Sequence, residues 1–202
     1  MIIVKRVIPI GDLALYIHIP FCRRRCRYCD FVSSTGQEGL IPEYRQAVIQ
    51  EFHQQKYLWE ENRITSIFFG GGTPSLWPAE ELGGILEALM DSGHVDDGAE
   101  ISLEANPGTV DREKLGLLHQ AGFNRISFGV QSGKDRLLKA IGRIHTRADA
   151  ERSIHAAYFS GFDNLNLDLM FGLPGQTMED WEETLNWAVS FPPQHLSCYG
   201  LQ

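Results

Sequence analysis

The stretch Leu15 to Val32, LYIHIPFCRRRCRYCDFV, constrains this chain more than any other. It holds three of the four cysteines, Cys22, Cys26 and Cys29, at C-x3-C-x2-C spacing directly after a β-like run that ends at Pro20. A structural zinc site uses four ligands, usually as two separated pairs, and no second pair exists here. An iron–sulfur cube held by three cysteines keeps one iron free of protein ligands, an open position where a small molecule can coordinate. The same spacing also admits a zinc ion completed by His18 or Asp30, or three uncoordinated thiols. Three thiols this close are hard to explain as core filler, so the fold has to present one loop.

The remainder alternates between strand and helix signals, the pattern of a parallel α/β sheet. Strands are expected at Leu13 to Ile19, Thr65 to Gly70, Glu100 to Ala105, Arg125 to Val130, Asn164 to Phe171 and His195 to Leu201. Helices are expected at Pro42 to Trp59, Ala79 to Asp91, Asp111 to Ala121, Asp135 to Ile141 with Arg147 to Phe159, and Met178 to Ser190. Gly122 and Gly161 sit where C-terminal glycines belong, and Thr177 with Glu179 and Asp180 reads as an acidic first turn.

Strand parity carries more than strand number. Ile126, Phe128 and Val130 share one face while Arg125, Ser127, Gly129 and Gln131 share the other. Leu165, Leu167, Leu169 and Phe171 oppose Asn166, Asp168 and Met170; Leu15, Ile17 and Ile19 oppose Tyr16 and His18; Ile101 and Leu103 oppose Ser102 and Glu104. A doubly wound sheet covered on both faces reads as continuous apolar runs instead. One apolar and one polar face per parallel strand suits a curled sheet with helices outside and a site inside, a partial (β/α)6 TIM-like barrel.

Taken singly, the other features are ambiguous. Gly70, Gly71, Gly72, Thr73 and Pro74 lack the lysine of a phosphate loop and the spacing of a dinucleotide fingerprint, so alone they read as a tight turn. Glu104 is an inward carboxylate that needs a partner, in the bland reading a salt bridge. Cys198 shares its face with Leu196 and not with Ser197 and Tyr199, which predicts a packed thiol on the helix side. His18 lies beside the cysteines on the polar face, whereas His145 and His195 have no metal spacing. Trp59, Trp77, Trp181 and Trp187 fall in or near helices, as core. Arg23, Arg24, Arg25 and Arg27 crowd the cysteine loop of a chain with formal net charge −8, either as a solvated run or as a means of offsetting thiolate charge and attracting an acidic electron carrier. That net charge argues against a nucleic-acid surface. No apolar run reaches the roughly 18 residues of a membrane span, and the start MIIVKRVIPIGD lacks signal-peptide features, so a cytoplasmic setting is expected.

C-x3-C-x2-C with Tyr28 just before the last cysteine resembles the signature of the radical S-adenosylmethionine (SAM) enzymes. YIHIPFC and YCDF, followed by FFGGGTPS, EANPGTV, NRISFGVQS, IGRIHT, NLDLMFGLPGQT and HLSCYGLQ, resemble the branch that holds the oxygen-independent coproporphyrinogen III oxidases and the HemW-type haem chaperones. The resemblance covers nearly all of the chain and implies the partial barrel. It implies a [4Fe-4S] cluster on Cys22, Cys26 and Cys29, with the amino group of SAM held by Gly71, Gly72 and Thr73 and its ribose by Glu104. Tyr16, Tyr28, Gln131, Arg143 and Asp168 match further SAM-binding positions, for one SAM molecule or two. One electron from the reduced cluster would then cleave SAM to methionine and a 5′-deoxyadenosyl radical.

Within that branch the oxidases resemble C-x3-C-x2-C-x-C, whereas Phe31 stands at the fourth position here, the chaperone-like form. Haem binding is the expectation, with flavodoxin as the kind of acidic donor implied. Porphyrinogen oxidation is the alternative, and a cluster- and SAM-binding module without turnover is a third reading of another class. Both relatives resemble each other in a further C-terminal region, so residues 1–202 are expected to be a radical SAM core cut from something longer, without its haem-binding segment.

Overall fold

The computed structural model describes residues 2–6 and 11–201; of the expected domain, Met1, residues 7–10 and Gln202 lie outside the described residues. In chain order the elements are β1 (Ile2–Arg6), β2 (Asp12–Ile19), β3 (Phe21–Cys22), β4 (Ser34–Thr35), α1 (Ile41–Gln54), α2 (Lys56–Trp59), β5 (Arg63–Gly71), α3 (Ala79–Met90), β6 (Val95–Ala105), α4 (Arg112–Gln120), β7 (Arg125–Gln131), α5 (Asp135–Ala140), α6 (Arg147–Phe159), β8 (Asn164–Phe171), α7 (Met178–Val189) and β9 (His195–Gly200).

The large sheet runs in the order β1-β2-β5-β6-β7-β8-β9. The six strands expected from periodicity are β2 and β5 to β9, all parallel and each beside its predecessor, and they curl into a half-barrel. The sequence reading assigns no strand to β1, which pairs antiparallel with β2 and occupies that edge of the sheet. β3 and β4 pair with each other and close the base of the cysteine loop.

The apolar parity sets are the core. Ile17, Ile19, Ile67, Phe69, Leu103, Ile126, Phe128, Val130, Leu165, Leu167 and Leu169 are fully buried on the helix side, joined by Leu82, Leu115, Ile154 and Ala188 from the helices. Trp77 and Trp59 are buried with them, while Trp181 packs at the margin. Three of the helices, α4, α6 and α7, start at side-chain caps. Thr146 with Asp149 and Thr177 with Asp180 form reciprocal capping boxes, and the Asp111 carboxylate accepts from the Lys114 N–H. Gly122 ends α4 at φ +110°, backbone that a β-carbon disfavours.

Two expectations are corrected. The helix expected over Pro42 to Trp59 is two, broken at Gln55. The break turns Trp59 back so that its indole stacks on Phe52 at 4.5 Å between centroids and its N–H donates to the Phe52 carbonyl at 3.0 Å. Cys198 is exposed rather than packed, and Phe171, on the same apolar parity, is 45% exposed. Parity gives the side correctly, but β9 is an edge strand and no described helix follows it to cover that side.

Candidate functional site

The C-terminal ends of the strands and the cysteine loop together line a cavity of about 310 Å³. Cys22, Cys26, Tyr28 and Cys29 come from the loop, Gly71, Gly72 and Thr73 from the end of β5, Glu104 from β6, Gln131 from β7, Arg143 from the turn after α5, and Asp168 from β8. Of the residues that the resemblance matches to cluster and SAM positions, all except Tyr16 border this space. Tyr16 lies on the inward face of β2, where its hydroxyl meets His18 Nδ1 at 3.3 Å and its ring stacks on Phe68. Burial first, then the Glu104 carboxylate, pushes its phenol up to about 12. His18 Nε2 donates to the Val32 carbonyl at 2.9 Å, tying the far end of the cysteine loop to β2.

The three thiols border the cavity rather than converge on a point. Among the described residues no three His, Cys, Asp or Glu side chains are gathered to hold a single metal ion. A cube with its sulfur ligands on separate irons suits such a ring of donors. Among the described residues each sulfur has a hydrogen-bonding neighbour: the Thr73 hydroxyl lies 3.6 Å from Cys22 Sγ, Arg143 Nη1 lies 3.7 Å from Cys26 Sγ, and the Phe31 N–H faces Cys29. Burial pushes the Cys29 thiol up, with Cys26 and Cys22 adding to it and Arg25 opposing.

The glycine run is shaped by its contact with that loop. The N–H of Gly72 donates to the Ile19 carbonyl and that of Thr73 to the Phe21 carbonyl, both at 2.8 Å, and the N–H of Gly71 donates to Glu104 Oε2 at 3.0 Å. A β-carbon at Gly72 would stand 2.7 Å from the Phe21 carbonyl oxygen. Gly71, at φ +116°, would set one 2.5 Å from the His18 ring. With its N–H groups already engaged, the run does not cradle an anion as a phosphate loop does. The Thr73 hydroxyl and the backbone carbonyls suit a cationic donor.

The polar parity face is largely buried and satisfied from within. Asn166 Nδ2 donates to Asp168 Oδ1 at 2.9 Å and to Ser127 Oγ at 2.8 Å, Ser127 donates to Asp168 Oδ2 at 3.0 Å, and Ser197 donates to Asn166 Oδ1 at 3.0 Å. Burial raises Asp168 above the usual carboxylate range, and these hydrogen bonds oppose the rise. Burial pushes Glu104 up to about 7 despite the Gly71 N–H, and the Asp168 charge adds to it.

Gln131 is, among the described residues, the non-glycine with left-handed backbone, at φ +67°. It sits where the β7–β8 register slips between Phe128 and Gln131, a bulge that turns the strand end into the cavity. Left-handed backbone costs a residue with a β-carbon about 1 kcal/mol or more, a strain that concentrates at functional sites. Gly129 leaves the room for this packing, since a β-carbon there would meet Asn106, Gln131 and Arg143 within about 3 Å.

Sequence reasoning missed His145 and Asn106. His145 is buried, and burial, followed by the Arg143 charge, pushes its imidazole down to about 4. It is therefore neutral, donating from Nε2 to the Val130 carbonyl at 3.1 Å and accepting on Nδ1 from Arg143 Nε at 3.3 Å. Asn106 shares the inward parity of Glu104, a signal that could have found it. Met170 and Tyr199 also line the cavity, from the polar parity of β8 and β9, whereas Cys198 does not join the other cysteines.

A curled sheet of parallel strands whose ends surround a three-cysteine loop defines a cofactor-dependent half-barrel of one class. The radical SAM superfamily model matches residues 16–188, and the chain belongs to that superfamily. Membership implies a [4Fe-4S] cluster and SAM.

The chain is 43% identical over 198 residues to the heme chaperone HemW of Haemophilus influenzae, covering 94% of this chain and 51% of that protein. It is 42% identical over 191 residues to the HemW of Bacillus subtilis, covering 92% and 49%. Coproporphyrinogen III oxidase (HemN) from Escherichia coli, a radical SAM enzyme, superimposes with a TM-score of 0.87 at 28% identity, covering 95% of this chain and 44% of that one. The chain spans about half the length of the curated relatives it matches.

Proposed function

We propose that Cys22, Cys26 and Cys29 hold a [4Fe-4S] cluster and that SAM lies beside it against Tyr28, Gly71, Gly72, Thr73, Glu104, Gln131, Arg143 and Asp168, with Tyr16 in the wall behind. The observation that carries this is that one cavity takes its lining from all of these residues except Tyr16. When bound, the pair supplies reductive chemistry, one electron passing to the SAM sulfonium. The chain's own part is to keep one iron free of protein ligands, to present carboxylate oxygens of Glu104 to ribose hydroxyls, and to line the space with polar groups already satisfied by each other. Arg23, Arg24, Arg25 and Arg27 are exposed around the loop, a basic patch suited to docking an acidic electron donor such as flavodoxin.

The protein acts as a haem chaperone of the HemW kind in the cytoplasm, with haem as cargo. Support comes from the higher identity to the chaperones than to HemN and from Phe31, which stands where the oxidase-like motif has a further cysteine. Porphyrinogen oxidation by a 5′-deoxyadenosyl radical is the second reading, favoured by the overlay on HemN. No described helix is long and apolar enough to cross a membrane.

The test is electron paramagnetic resonance of the anaerobically reconstituted, dithionite-reduced protein with and without SAM, followed by product and haem-binding assays. A reduced cluster signal that shifts on adding SAM is expected, together with haem uptake by the full-length protein. A cluster signal indifferent to SAM overturns the SAM site. Turnover of coproporphyrinogen III without haem uptake replaces the chaperone reading with the oxidase.

A further inference from the structure

Asn106 is one of the polar side chains of the cavity to which neither the resemblance nor the proposed SAM contacts give a role. Asn106, just past the end of β6, stands between Thr73 and Arg143, the two side chains that reach Cys22 and Cys26. We infer that Asn106 is a positioning residue that raises the reduction potential of the cluster by aiming hydrogen-bond donors at two of the three cysteine sulfurs; the inference rests on the cluster reading above.

The donor and acceptor inventory leaves one assignment. A guanidinium only donates, so the Asn106 oxygen must face Arg143 Nη2 and its NH2 must face Thr73. Asn106 Nδ2 donates to Thr73 Oγ1 at 2.9 Å. The Thr73 hydroxyl is thereby an acceptor on that side, and its own proton is left for Cys22 Sγ, 3.6 Å away. On the other side the same amide, with the Gly129 carbonyl and His145 Nδ1, fixes the guanidinium whose Nη1 donates to Cys26. The backbone beneath is held as firmly: the Asn106 N–H donates to Ser75 Oγ at 3.2 Å, Thr109 Oγ1 donates to the Asn106 carbonyl at 2.7 Å, and Lys114 Nζ donates to the Ser75 carbonyl at 2.6 Å.

Adding an electron makes the cluster and its thiolates more negative, and a donor aimed at a ligand sulfur stabilises the reduced state more than the oxidised one. Two donors set by one amide therefore raise the potential. A carboxylate at this position keeps Arg143 but has no N–H for Thr73. The Thr73 proton then turns to residue 106, and Cys22 loses its donor.

The experiment is an electron paramagnetic resonance redox titration of the reconstituted full-length protein, without SAM, for wild type, Asn106→Asp, Thr73→Val and the double variant, with iron and sulfide content measured on each. At the wild-type midpoint, Asn106→Asp is expected to raise the oxidised-to-reduced ratio about tenfold, equivalent to about 59 mV for one electron. Thr73→Val, which removes the same O–H without adding charge, shifts it the same way by less, and the double variant falls short of the sum. Fully loaded variants with unchanged midpoints overturn the inference, as does an Asn106→Asp shift of equal size in the Thr73→Val background, because the amide then does not act through the hydroxyl. If Asn106→Asp fails to load, Thr73→Val decides alone. A wild-type protein that takes up no cluster overturns the site reading itself, and the inference with it.

Discussion

The two faces of the half-barrel are both buried over most of their area, yet they are built on opposite terms. On the helix side Ile126, Phe128, Leu165 and Leu167 are fully buried and pack against α-helices with nothing to satisfy. On the cavity side Ser127, Asn166 and Gln131 are nearly as buried, but each polar group there needs a partner at a defined angle. The outer face can exchange one hydrophobe for another of similar volume at modest cost. The inner face cannot, because a misplaced partner leaves a buried polar group unpaired. Stability and chemistry are thus carried by alternate residues of the same strands.

The sharpest test of that division is to remove one of the proposed cluster cysteines. Cys26→Ala is expected to abolish cluster loading, read as iron and sulfide content, while far-ultraviolet circular dichroism is unchanged. Cys198→Ser, at an exposed thiol away from the cavity, should retain full loading. Cluster loss in the second variant would break the comparison.

The complementary variant is Phe128→Ala on the outer face, for which a loss of about 3–5 kcal/mol in urea unfolding is expected, the usual cost of deleting a buried aromatic ring. Its neighbour Ser127 points the other way, so Ser127→Ala should cost far less stability but disturb the Asp168 carboxylate. Comparable losses for the two would mean that the faces are not energetically distinct.

Glu104 sharpens the inner face by pH. Its folded-state value of about 7 lies above its ordinary 4.5, so between those values the folded protein binds more protons than the unfolded chain. Stability therefore falls as pH rises from about 4.5 to about 7, by on the order of 3 kcal/mol at 1.36 kcal/mol per unit. Glu104→Gln should flatten that slope in thermal or urea unfolding. SAM affinity in the wild type should rise over the same interval as the carboxylate ionises, and titration calorimetry across pH checks it.

The smallest expected effect lies outside both faces. Thr146→Ala removes one half of a capping box and should cost about 1 kcal/mol without altering cluster loading. Loss of cluster here would implicate α6, and the Arg143 and His145 turn before it, in holding the site.

What was legible in the sequence followed from short periods. Six strands, their inward and outward sets and the acidic first turn after Thr177 depend on spacings of two to four residues, which local sterics impose on any chain. Where a feature needed a distant partner, the reading stopped short. The helix break at Gln55 depends on where Trp59 finds Phe52, and Cys198 was placed on the correct side without any sign that it would be exposed among the described residues. β1 escaped because a five-residue strand is indistinguishable from an apolar lead until its partner is known.

By itself, then, the sequence determined that Cys22, Cys26 and Cys29 share one loop, the alternation that makes a half-barrel, and the identity of most cavity-lining residues. Tertiary structure alone decided the left-handed turn of Gln131, the neutral His145 beneath Arg143, and the amide of Asn106 between two sulfur-directed donors. The physical reason is distance along the chain. Asn106 meets Thr73 across 33 residues and Arg143 meets Cys26 across 117, and a hydrogen bond of that span leaves no periodic trace in the sequence around either end.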